Sequence, residues 1–144
     1  LAAEAELGIT AGLQDRVAQA YGGLVYMDFD PAYCAAHGHG RYERLPPEML
    51  PRAALYLLYC DNPSDSGRVH ATVRQRWLAG DAEVMRGMQE LAACAEDGRA
   101  ALEAGDVQAL AVLMDRNFDL RRRMFGDAAL GQRNIRMIEL ARCV

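Results

Sequence analysis

The sequence predicts an α+β fold with few strands and many helices, and three observations carry that expectation. Residues 24–29, Leu-Val-Tyr-Met-Asp-Phe, alternate and are rich in strand-forming types. Residues 53–60, Ala-Ala-Leu-Tyr-Leu-Leu-Tyr-Cys, are apolar without a break, the pattern of a strand buried on both faces. Beyond them helical periodicity takes over, punctuated by Gly80-Asp81, Gly105-Asp106 and Gly126-Asp127. Glycine permits a left-handed helix exit and aspartate caps the next start, so each pair reads as a helix-to-helix turn.

The first element is a short helix following Gly12, on which Leu13, Val17 and Ala20 recur at helical spacing. It places Asp15 in the first turn, where the exposed amides favour an ionised carboxylate. Glycines at Gly8 and Gly12 precede this acid, and the pair Gly22 and Gly23 follows it. Glycine admits positive φ and close approach of another group to the main chain, so the stretch has the makings of a site. An acid that merely charges a helix start would carry the same letters.

Residues 30–51 turn to Gly, Pro, His and charge, with a strand-like 42–45 that could pair with 24–29 and a linker through Pro46, Pro47 and Pro51. Cys34, His37 and His39 lie here, and His70 is the one further histidine. A tetrahedral zinc site needs four ligands in a defined geometry, so these residues are read as a solvated turn and no metal site is expected. After residues 61–67, a loop of turn formers and caps, Val69, Val73 and Trp77 mark one helix face that Gly80 stops. The next helix shows a stripe of Val84, Met88, Leu91, Ala95 and Leu102. The one after it shows Val107, Leu110, Ala111, Met114 and Phe118, and a last helix over 130–142 turns Ile135, Ile138 and Ala141 or Arg142 inward. Only the Gly-Asp punctuation repeats, so a helical-repeat array is not favoured.

Extending the second stripe brings Asn117, Arg121 and Arg122 to positions where apolar residues are expected. An arginine on a packed face needs an anionic partner, because burying it unpaired is costly. That partner is either internal, Asp119 standing at the right spacing from Arg122 or Arg123, or a bound carboxylate or phosphate gripped by Arg121 or Arg122.

Composition bounds the functional classes. With 144 residues, 51% hydrophobic and 25% charged, the chain can bury a real core. A net charge of −4 argues against a nucleic-acid partner, which needs a basic surface. No apolar run approaches the roughly 20 residues that span a bilayer, and a cytoplasmic location is expected. Cys34, Cys60, Cys94 and Cys143 are scattered, which favours reduced thiols. The first residue is Leu rather than Met, which suggests a piece of something longer.

Four blocks carry a family resemblance: residues 7–29, with Gly-Leu-Gln-Asp-Arg-Val and Tyr-Gly-Gly; residues 59–67, Tyr-Cys-Asp-Asn-Pro-Ser-Asp-Ser-Gly; residues 73–77, Val-Arg-Gln-Arg-Trp; and residues 114–127. In order and spacing they resemble the GHMP kinases, the sugar and small-alcohol kinases named for galactokinase, homoserine kinase, mevalonate kinase and phosphomevalonate kinase. The likeness covers nearly the whole chain, is weakest over 30–51, and is strongest to members acting on a uronic acid. It implies transfer of phosphate from ATP, with Mg²⁺, to the anomeric hydroxyl of D-glucuronate, on the way to UDP-glucuronate. It also implies that Asp15 takes or orients that hydroxyl's proton and that Gly12, Gly22 and Gly23 shape the sugar-side wall. A uronate further needs a cation, which brings Arg121 or Arg122, with Asn117, forward from the stripe argument rather than from any family motif.

In fold terms the resemblance implies the end of an N-terminal lobe over 1–45, a linker over 46–52 and the helical start of a C-terminal lobe over 53–144. The family's glycine- and serine-rich phosphate loop and its second glycine-rich block are not in this sequence, and Arg16 stands where many members have Gln. Residues 1–144 alone are therefore expected to be poorly stable and inactive. Two alternatives stand beside this expectation: a kinase for a neutral sugar such as arabinose or galactose, and a non-catalytic helical interaction module.

Overall fold

The computed structural model describes residues 13–51, 55–59 and 66–143, with the backbone alone over 66–71. The chain divides into two compact units, Leu1–Ala53 and Ala54–Val144. The fold is α+β and mostly helical, with a small two-stranded sheet among the described residues.

The first unit begins with helix α1, Gln14–Tyr21, which buries Val17. Strand β1, Leu24–Asp28, pairs antiparallel with β2, Arg41–Leu45, in a register that sets Leu24 opposite Leu45 and Asp28 opposite Arg41. The Arg41 guanidinium meets the Asp28 carboxylate across the strands at 3.1 Å, a favourable opposite-charge pair. The expected hairpin partner is therefore present. Its connection is not the solvated turn that composition suggested but helix α2, Pro31–His37. Asp30 caps it by accepting from the Tyr33 amide at 2.8 Å, Pro31 opens it, and Gly38 at φ 74° closes it. Those three signals stand in the sequence and identify a helix.

In the second unit residues 55–59 of the strand expected over 53–60 are not in a strand, and 53, 54 and 60 lie outside the described residues. Leu57 is 88% exposed and Tyr56 82% exposed. A doubly buried strand exists only between neighbouring strands, and no described strand pairs with this run. Helix α3, Ser66–Leu78, buries Val73 but leaves Trp77 partly exposed. The long pair α4, Ala82–Ala104, and α5, Val107–Phe125, packs side by side, followed by the single turn α6, Asp127–Leu130, and by α7, Gln132–Ala141. Two of the Gly-Asp pairs work as expected. Asp81 caps α4 through the Glu83 and Val84 amides, and Asp106 caps α5 through the Ala109 amide at 2.9 Å.

Both long helices turn inward a face shifted from the predicted stripe but overlapping it: Val84 is fully buried, and Met88, Leu91, Leu102, Leu110 and Phe118 are half-buried. On α4 the buried line is Val84, Gly87, Cys94 and Ala101, while Ala95 is exposed. Small side chains let the two backbones approach, and close packing selects them over bulk. On α5 the inner line runs through Leu120 and Met124, with Leu110, Leu113 and Asn117 half-buried, and Val107, Ala111 and Met114 lie outside. The last helix is broken at Gly131, φ 79°, with Ile135 buried as expected but Ala141 exposed. No helix among the described residues is long and apolar enough to cross a membrane.

Candidate active site

Asp15 stands in the first turn of α1, exposed, and its carboxylate takes no hydrogen bond from another described residue. The turn is held by backbone instead, the Leu13 carbonyl accepting from the Val17 amide at 3.0 Å. At the other end Gly22 adopts φ 61°, ψ 159° and its amide donates to the Ala18 carbonyl at 2.9 Å; Gly23 follows at φ 72°. That pair of conformations is open to glycine and strained for any residue with a Cβ, so the Gly-Gly step fixes how α1 passes into β1. A Cβ at either glycine would meet nothing within 4 Å. Gly8 and Gly12 lie outside the described residues.

The arginines of α5 separate sharply. Arg122 is committed within the protein: Nε donates to Asp127 Oδ1 at 2.7 Å, one terminal nitrogen to Asp127 Oδ2 at 2.9 Å, and the other to Glu139 at 3.4 Å. This two-point bridge raises the Arg122 pKa and holds the Asp127 carboxyl below the usual carboxylate range. Asp127 thus binds back onto α5 instead of capping α6. Arg121, expected on the packed face, is exposed, because Leu120 and Met124 occupy that face. Its Nε donates to Asn117 Oδ1 at 3.0 Å.

The internal partner expected for Arg122 or Arg123, Asp119, is engaged elsewhere. Arg142 donates to Asp119 at 2.9 Å, to the Asp115 carboxylate at 2.7 Å and to the Asp115 carbonyl at 2.9 Å, and lies over the Phe118 ring. Arg142 is a staple between α5 and the end of α7 that its sequence position only hinted at.

The remaining polar clusters are structural in character. His37 Nδ1 donates to the Tyr33 carbonyl and its ring stacks on Tyr33 at 4.0 Å; His39 Nδ1 donates to the Gly40 carbonyl. Cys34, Cys94 and Cys143 are free thiols, and Cys60 lies outside the described residues. An open, largely apolar groove of about 560 Å³ between α4 and α5, lined by Ala101, Ala104, Val112 and Leu113, contains none of the candidate residues.

No protein-family model matches the chain, and no solved structure does. The proteins it does resemble are kinases, and the likeness runs along its whole length. One is "Glucuronokinase 1" of Arabidopsis thaliana, 56% identical over 144 residues, which is 100% of this chain and 39% of that protein. Another is "Probable glucuronokinase 2" of the same plant, 56% identical over 143 residues, 99% of this chain and 38% of that one. The chain spans about two fifths of the length of these curated relatives.

Proposed function

We propose that the chain is part of a glucuronokinase, a GHMP-type sugar kinase that moves the terminal phosphate of ATP to the anomeric hydroxyl of D-glucuronate. The observation that supports this most is the 56% identity sustained over all 144 residues. On this reading the first unit is the end of the family's N-terminal lobe and the second the start of its C-terminal lobe, in a cytoplasmic enzyme.

Phosphoryl transfer asks a protein chiefly for positioning and for charge placement. Asp15 supplies the first. Its carboxylate, bonded to no other described group, accepts the proton of the acceptor hydroxyl as that oxygen forms its bond to phosphorus and the bond to the departing ADP breaks. The positive-φ glycines Gly22 and Gly23 fix the chain where α1 meets the sheet, and on this reading they belong to the sugar-side wall. Of the two arginines, Arg121, with Asn117, is the candidate for the acceptor's anionic group, since Arg122 is held by Asp127 and Glu139. Mg²⁺, which such transfers hold through one or two carboxylates and the substrate phosphates, is the cofactor this reading implies.

The test is a coupled ADP-release assay on the protein carrying this chain, with glucuronate, galacturonate, arabinose and galactose as acceptors. Turnover of glucuronate that Asp15→Ala abolishes while sugar binding persists supports the assignment. Turnover confined to neutral sugars, or none at all, overturns it.

A further inference from the structure

We propose that Asn117 and Arg121 form an oxyanion clamp on α5, in which Asn117 is a positioning residue and Arg121 the ligand-binding one. The starting observation is a broken rule: the inner line of α5 passes through Leu110, Leu113, Leu120 and Met124, and a half-buried amide, Asn117, interrupts it where another apolar side chain would add packing. What the amide supplies there is an acceptor that an apolar side chain lacks: at the solvent-exposed edge of the helix its Oδ1 accepts from Arg121 Nε at 3.0 Å.

That bond leaves both terminal nitrogens of Arg121 unengaged by any described residue and fixes the guanidinium from behind. A guanidinium so held presents two parallel N–H donors, the geometry that fits a carboxylate or a phosphate edge. The aspartates nearest it along the chain are already paired. Asp115 and Asp119 are held by Arg142, and Asp127 and Glu139 by Arg122. Arg122, the other candidate in the sequence, has all three nitrogens bonded and cannot take an anion without giving up Asp127 or Glu139. The structure therefore favours Arg121.

The clamp deepens the kinase reading and rests on it for which oxyanion is bound, a uronate carboxylate or a nucleotide phosphate, but not for its geometry. Two measurements separate these dependences. In the first, the arginine Nε–Hε signals of ¹⁵N-labelled protein are followed on addition of glucuronate, glucose, ATP and inorganic phosphate. A saturable shift of the Arg121 signal with glucuronate and not with glucose supports a carboxylate clamp, and a shift with ATP or phosphate alone supports a phosphate clamp. No shift with any of the four overturns the proposal.

In the second, Arg121→Lys keeps the charge and removes the fork, and Asn117→Leu restores an apolar inner line and removes the holder. Each raises KM for the clamped anion's substrate by about tenfold to a hundredfold with kcat less affected, in keeping with the loss of a charge-assisted bond. The exposed neighbour variant Arg123→Ala leaves KM unchanged. An Asn117→Leu protein that melts higher with KM unaltered shows a merely structural amide and overturns the positioning role. Wild-type protein that does not phosphorylate glucuronate, yet whose Arg121 signal still answers to an oxyanion, overturns the kinase reading and leaves the clamp standing.

Discussion

Gly87 on α4 lies directly against Met124 on α5: a Cβ at position 87 would collide with the Met124 sulfur and come within 2.9 Å of its Cγ. The two helices approach here because one of them carries no side chain. Gly87→Ala gains helix propensity but overpacks the contact, for a net destabilisation of about 1 kcal/mol. Gly98→Ala on the same helix meets nothing within 4 Å and is stabilising by about 0.5–1 kcal/mol. Urea melts of the two variants check this, and a Gly87→Ala protein as stable as Gly98→Ala would refute the close approach.

The Gly-Gly step offers a second test. Gly22 and Gly23 hold φ of 61° and 72° with open space around them, so any penalty of Gly22→Ala arises from backbone strain alone. A loss of about 1–3 kcal/mol is expected, read as lowered hydrogen-exchange protection across α1 and β1. A stability equal to wild type would show that the step tolerates a Cβ.

Acid should loosen the end of α5 in a defined window. Arg122 depresses the Asp127 pKa, and Arg76, bonded to Asp81 at 2.7 Å, depresses that of Asp81. For a depressed carboxyl the stabilisation is fully present above the unfolded pKa, near 4, and is lost as pH falls through the lower folded value. Wild type should therefore melt above Asp127→Asn at pH 7, with the gap constant down to about pH 5 and closing below pH 4. Because these pairs are substantially solvent-exposed, high salt should narrow the gap at pH 7. A gap that persists at pH 3 contradicts the assigned bridge.

Asp15→Asn keeps the shape of the side chain and removes its basicity. If Asp15 takes the acceptor's proton, kcat should fall by about 10²- to 10⁴-fold while the binding of sugar, measured calorimetrically, changes little. A kcat within a few-fold of wild type would assign the carboxylate an orienting role at most.

Local rules made much of this architecture legible. Asp15 in a first turn and the Asp81 and Asp106 caps depend on residues within a few positions of one another, and the alternation that marks β1 is local too, although its partner β2 lies further along the chain. Helix α2 was equally local, but a glycine- and histidine-rich composition hid its Asp30, Pro31 and Gly38 signals. The inner face of α4 was only partly readable from hydrophobicity, because Val84 shares it with Gly87, Cys94 and Ala101, which such a count undervalues. Nor could sequence separate Arg121 from Arg122. The difference rests on Asp127 and Glu139, the latter 17 residues away along the chain.

The run from Leu55 to Tyr59 has a consequence for a polypeptide of these 144 residues in the test tube. Five large greasy side chains in a row face water, with no charge among them. Such a segment is adhesive toward its own copies, so scattering should stay low in dilute solution and climb steeply on concentration. A single lysine at position 57 would act as a gatekeeper and flatten that climb.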